Sequence, residues 1–172
     1  SHYVTSQSHS QFKTLDIWIN EHPELYDILD PHYILFGEWV YAKHSLHYDR
    51  LPGYFIAFDI YDKKNEKYLS VKERNNRLQG TSIPIIKPLV TDQIIRTRDE
   101  YQKLLDTTSH YMKDSKTTLE GIYIRVDDDN TGFLKHRCKV VRSDFIQTVD
   151  TSGHWSTKDV IKNQIDFELM YQ

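Results

Sequence analysis

Ile34-Leu35-Phe36-Gly37-Glu38-Trp39-Val40-Tyr41 is dense in β-branched and aromatic residues and free of proline, the composition of a buried strand. Alternation along a strand puts Ile34, Phe36, Glu38 and Val40 on one face. Glu38 therefore interrupts an apolar row. An unpaired carboxylate is costly to bury, so Glu38 is expected to have partners, most simply one of the 22 Lys and Arg residues.

Three further strands are read outward from this one. Residues 54–61 alternate as Tyr54, Ile56, Phe58 and Ile60 against Phe55, Ala57, Asp59 and Tyr61. Residues 119–126 place Glu120, Ile122, Ile124 and Val126 on one face, so a second acid heads an apolar row. Asp127 to Gly132 reads as a hairpin turn. It lacks the closing glutamate of a calcium loop. Phe133–Val141 pairs back, with Lys135, Arg137, Lys139 and Val141 on one face. Three cations at spacing two make a strong local field, or an edge charged against aggregation.

Helices are read between the strands. Residues 2–6 look strand-like. Ser10 can cap a helix over 11–19, and Pro23 opens Glu24–Leu29. Loop 43–49 holds His44 and His47, without a Cys or acidic partner at metal-ligand spacing. Ser70 to Glu73 is a capping box whose helix Gly80 closes, and Thr97 to Glu100 opens another helix running to about Met112. Residues 83–89 carry two prolines and read as an edge strand. Residues 157–170 read as one helix or two short ones.

The 172 residues suffice for one domain with a core, and 38% hydrophobic with 27% charged residues suit a globular protein. No repeat or linker divides them, and the mixture of strands and helices is that of an α+β fold. A net charge of −3 gives no global attraction to nucleic acid, so any basic site must be local. A single Cys138 excludes an intrachain disulfide and a cysteine-only zinc site, and fits a reducing, intracellular compartment, cytoplasmic or nuclear. No apolar run is long enough for a membrane span.

Together the strands offer Glu38, Phe58 beside Asp59, Glu120 and a cluster of cations. An aromatic ring, two carboxylates and paired cations suit a nucleotide and its metal. At these residues the chain resembles the RNA ligases, covalent nucleotidyltransferases of the ligase and capping-enzyme superfamily. Phe36-Gly37-Glu38, Phe58-Asp59-Ile60-Tyr61, Glu120-Gly121-Ile122-Tyr123-Ile124-Arg125 and Arg137-Cys138-Lys139 resemble motifs III, IIIa, IV and V, in order. The flanks, 37–48 and 137–147, are similar to the RNA-ligase branch in particular.

The resemblance implies an ATP-grasp-like adenylation domain, with antiparallel sheets flanked by helices, over 1–150 and a helical extension over 151–172. It implies sealing of 3′-hydroxyl and 5′-phosphate RNA ends, using ATP and Mg²⁺ or Mn²⁺, through enzyme–AMP and RNA–adenylate. Glu38 would then bind the ribose, Phe58 would stack on adenine and Glu120 would hold the metal. Arg137 and Lys139 would contact the AMP phosphate, with Lys135 as a competing cation. Glu38, Glu120, Arg137 and Lys139 are thus the catalytic candidates. Too few residues follow Lys139 for the five-stranded oligonucleotide-binding barrel of DNA ligases and capping enzymes.

The sequence departs from the family at motif I. No Lys-x-Asp-Gly occurs; Lys13-Thr14-Leu15-Asp16 lacks the glycine and falls on an expected helix. Gln7 stands where relatives often carry arginine, and Arg137 where many carry lysine. The expectation is a chain that starts just after the nucleophile and is inactive alone, as part of an active parent. The alternative is a degenerate ligase that binds nucleotide or RNA ends without catalysis. A third reading is an unrelated α+β domain whose acids are merely paired.

Overall fold

The computed structural model describes residues 3–44, 46–114, 116–142 and 160–170. Helices α1 (Leu15–Glu21) and α2 (Glu24–Leu29) precede strands β1 (Tyr33–Trp39), β2 (Phe55–Asp62) and β3 (Lys67–Tyr68). Then come α3 (Val71–Leu78), α4 (Arg98–Leu105), β4 (Gly121–Asp128), β5 (Phe133–Val141) and α5 (Phe167–Met170). The strands form two antiparallel sheets, β1-β2-β3 and the hairpin β4-β5. The fold is a small α+β one.

Local chemistry accounts for most of these boundaries. The Ser70 hydroxyl accepts the Glu73 N–H at 3.2 Å and starts α3. Past its end Gly80 takes φ +81°, a conformation that costs glycine little. Thr97 and Glu100 cap α4 reciprocally. That helix stops at Leu105 rather than near Met112, because the following residues turn back and Ser109 N–H bonds Thr117 C=O at 3.0 Å. The first helix also starts later than expected. Ser10–Phe12 is a 3-10 turn capped by His9, and residues 3–5 form no strand. The proline-bearing edge at 83–89 is reduced to one bridge, Ile85 to Ala57.

One face of β1-β2 packs on the core. Ala57, Ile60, Leu69, Leu78 and Ile83 are its buried centre, with Trp18, Leu25, Ile28, Leu35 and Phe55 against it. Cross-strand pairs Leu35–Ile60, Gly37–Ala57 and Trp39–Phe55 point this way. Phe55 lies across Gly37 so closely that a Cβ there would sit 2.2 Å from its ring. The same ring packs on Trp18 at 4.7 Å.

The expected apolar row of β1 is therefore not its buried side. Helices α1, α2 and α3 pack on the face carrying Leu35. Ile34 is 42% exposed, and Glu38 is exposed on the opposite face. Two bulges also break the simple alternation. Phe36 pairs Asp59 but Gly37 pairs Ala57, so Phe58 is an extra residue in β2. Val126 pairs His136 but Asp127 pairs Leu134, so Lys135 is the extra residue in β5.

The two sheets are tied at one end. Leu69 bridges Phe133, and Ser70 N–H bonds Gly132 C=O at 2.8 Å. The Asp127 carboxylate accepts the Val71 N–H at 2.6 Å, at the start of α3. Residues 160–166 are extended rather than helical, bridging Ala42 through Lys162 and Leu51 through Ile165. Among the described C-terminal residues only Phe167–Met170 is helical, because the backbone groups of 160–166 are taken by the loop after β1; 151–159 and 171–172 of the expected helical extension lie outside the described residues. On β5, Cys138 is exposed and pairs Ile124 on the face away from Arg137 and Lys139.

Candidate active site

The bulge at Phe58 meets the β4-β5 hairpin through Tyr123. An extra residue leaves a ladder group unpaired and re-aims its neighbours. Here the freed Phe58 carbonyl is met by Arg74 of α3, whose Nη1 donates to it at 2.6 Å. Arg74 is only 4% exposed, and its Nε and Nη2 both donate to Asn75 Oδ1. Desolvation by burial lowers its pKa, partly offset by Asp127 and Tyr123. The bulge turns Phe58 and Asp59 to the same side, where both meet Tyr123. The Phe58 and Tyr123 rings stand edge to face at 6.5 Å, and the Tyr123 hydroxyl donates to Asp59 Oδ2 at 2.9 Å.

Asp59 is fully buried and gathers cations from the opposite sheet. Arg125 Nη1 donates to Asp59 Oδ1. Arg125 Nη2 also bonds the Leu69 carbonyl at 2.7 Å and Asp127 at 3.1 Å. Arg137 Nη1 stands 3.5 Å from Asp59 Oδ2, and its guanidinium lies 4.1 Å over the Tyr68 ring. Hydrogen bonding to Tyr123 and Tyr68 raises the Arg137 pKa. Arg137 keeps 43% of its side chain exposed, so it remains open to a ligand.

A second group of side chains gathers around Glu120. Tyr123 pairs Lys139 and Arg125 pairs Arg137, so these four side chains share one face. Glu120 precedes β4. Burial raises its pKa; Lys139 opposes the shift, Glu38 adds to it, and His44 opposes it. Glu38, Lys139 and His44 therefore lie within electrostatic reach of Glu120 although they come from separate stretches of chain. Tyr48 stands there too, with its hydroxyl pKa raised by burial, Glu120, Glu38 and Tyr111.

The sequence-derived candidates fall into two linked groups. Phe58 and Arg137 meet through Tyr123; Glu38, Glu120 and Lys139 meet through their charges. Lys139 joins them as the cross-strand partner of Tyr123. Lys135 stands apart: its bulge takes it out of the row, and no described hydrogen bond or ion pair links it to the cluster. Tyr123, Arg125, Arg74 and Tyr48 are not among the sequence candidates, and Asp59 is named there only as the neighbour of Phe58. An aspartate inside the apolar run 54–61 was the available signal for Asp59.

The residues fit the ligand class suggested by the strands. Phe58 is half-buried and Tyr123 is 40% exposed, so both rings keep accessible aromatic surface. Glu120, with Glu38 within electrostatic reach, offers the carboxylate oxygens that a hard divalent cation takes. Mg²⁺ typically takes one or two carboxylates and completes its shell with water and phosphate. Among the described residues no group of three or more His, Cys, Asp or Glu is preassembled for a metal.

The sequence profile of the family described as RNA ligase matches residues 1–141. The chain belongs to the RNA ligase family. No curated protein and no solved structure matches it. Among the described residues no helix is long and apolar enough to cross a membrane.

Proposed function

We propose that the side chains gathered around Tyr123 and Glu120 bind the adenosine monophosphate moiety of ATP and serve the adenylate-transfer steps of an ATP-dependent RNA ligase. One observation supports this reading: Phe58 and Arg137 both contact Tyr123, and Lys139, the cross-strand partner of Tyr123, lies with Glu38 within electrostatic reach of Glu120. Phe58 offers adenine a ring to stack on. Glu38, which is exposed, accepts from ribose hydroxyls. Arg137 and Lys139 neutralise the phosphate, with Arg137 held in place by Tyr68, Tyr123 and Asp59. A divalent cation held by Glu120 would add charge neutralisation at the phosphates. Such transfer depends chiefly on positioning and on charge stabilisation, and fixed side chains supply both.

The nucleophile is not among these groups. With no Lys-x-Asp-Gly in the 172 residues, this chain alone should bind AMP without being covalently labelled. Two measurements test the reading. Calorimetric titration with AMP should give saturable binding that Glu38→Ala and Phe58→Ala each weaken. Incubation with radiolabelled ATP and Mg²⁺, then denaturing electrophoresis, should show no labelled protein. Unchanged binding in both variants refutes the pocket, and a labelled band refutes the assignment of the nucleophile outside these residues.

A further inference from the structure

The loop after β1 brings His44 and Tyr48 within electrostatic reach of Glu120, and its described residues form no helix or strand. Its backbone polar groups must find partners elsewhere or remain solvated. Asn163, in the extended segment 160–166, supplies three of them. Its Oδ1 accepts the Tyr48 N–H at 2.9 Å. Its Nδ2 donates to the Val40 carbonyl at 2.9 Å and the Ala42 carbonyl at 3.2 Å.

The surrounding backbone closes around that side chain. Asn163 N–H bonds Tyr41 C=O at 2.9 Å, and Gln164 N–H bonds Tyr48 C=O at 2.8 Å. Lys43 N–H bonds Ile161 C=O at 2.7 Å, and Leu51 N–H bonds Gln164 C=O at 3.1 Å. Asn163 is 3% exposed, so little water can replace these bonds. It also lies beyond the residues matched to the family.

We propose that Asn163 is a positioning residue for the candidate active site, clamping the loop after β1 and so fixing the position of Tyr48 and His44 relative to Glu38 and Glu120. Asparagine suits the task because one planar amide accepts from one strand of the loop and donates twice to the other. Aspartate keeps the size and the acceptor for Tyr48 but turns an oxygen toward two carbonyls. The consequence for ligand binding rests on the nucleotide reading above; the clamp itself does not.

The test pairs amide hydrogen exchange with AMP titration on the full chain. In Asn163→Ala, exchange at Tyr48 and along 40–48 should quicken at least about ten-fold, since a buried donor loses its acceptor. AMP affinity should fall about ten-fold, the equivalent of one or two lost hydrogen bonds. Asn163→Asp provides the same readings if the alanine variant does not fold. Leu78→Ala, a core truncation away from the loop, should lower the melting temperature and keep AMP affinity well below its transition. Unchanged exchange in 40–48 overturns the clamp. Equal affinity losses in Leu78→Ala and Asn163→Ala also overturn it, reducing Asn163 to general stability. Wild-type protein that does not bind AMP refutes the nucleotide reading instead, and exchange still decides the clamp.

Discussion

Asp59 and Arg125 form an ion pair buried between the two sheets, with the Asp59 carboxylate wholly out of solvent. The pair joins β2 to β4, and Tyr123 and Arg137 complete it. Removing one partner of such a pair strands the other charge, typically at about 3–5 kcal/mol. Asp59→Asn should therefore lower unfolding free energy by about 3 kcal/mol or more in urea denaturation. The double variant Asp59→Leu/Arg125→Met should cost less than the sum of the single changes. A loss under about 1 kcal/mol would match an exposed pair and contradict the burial.

Phe58→Ala should weaken AMP binding by about 1–3 kcal/mol, the range for one base on one ring. Phe58→Trp should retain most of it. Titration of both variants with AMP and with ribose 5-phosphate separates stacking from phosphate contacts. If ribose 5-phosphate loses as much affinity as AMP, the ring does not carry the base.

Glu120 should ionise above the ordinary glutamate range, through burial first and then the charge of Glu38. A carboxyl whose folded pKa is raised favours the protonated folded state. Its burden on stability is absent below the unfolded value, grows as pH rises between the two values, and is complete above the folded one. Glu38→Gln removes a like charge and should bring Glu120 back down, read by carboxyl carbon resonances. A divalent cation competes with that proton, so its affinity should rise with pH through the same window. A Glu120 titration indifferent to Glu38→Gln would separate the two acids.

Gly37→Ala should destabilise the protein by about 1–3 kcal/mol, because the new methyl group meets the Phe55 ring. Phe55→Ala removes the obstacle, so adding Gly37→Ala to it should cost less. Thermal unfolding of the two single variants and the double variant measures the difference. Simple additivity would mean the ring moves aside freely.

Much of this architecture was legible in local signals. Pro23 and the Ser70 and Thr97 caps set α2, α3 and α4, and the run Phe133–Val141 stands as read. Those features depend on neighbours along the chain. The face assignments depended on distant partners and fared worse. A period of two put Phe58 and Asp59 on opposite sides until the bulge, visible only in pairing with β1, brought them together. The apolar row of Glu38 predicts burial, but what buries a face is the helix packed on it, and the helices pack on the other side. Tyr123 and Arg125 were passed over because the other face of β4 carried the apolar row. Segment 160–166 has a helical pattern, overridden where its backbone serves the loop 40–51.

The solitary thiol of the molecule offers a vantage point on ligand capture. Cys138 sits between Arg137 and Lys139 in sequence, yet strand alternation turns it to the other face, where it is exposed. A maleimide dye attached there would ride on the same β5 backbone as Arg137 and Lys139 while lying on the opposite face of the hairpin. Its anisotropy and emission would follow changes in that strand, with no second sulfhydryl to confuse the signal.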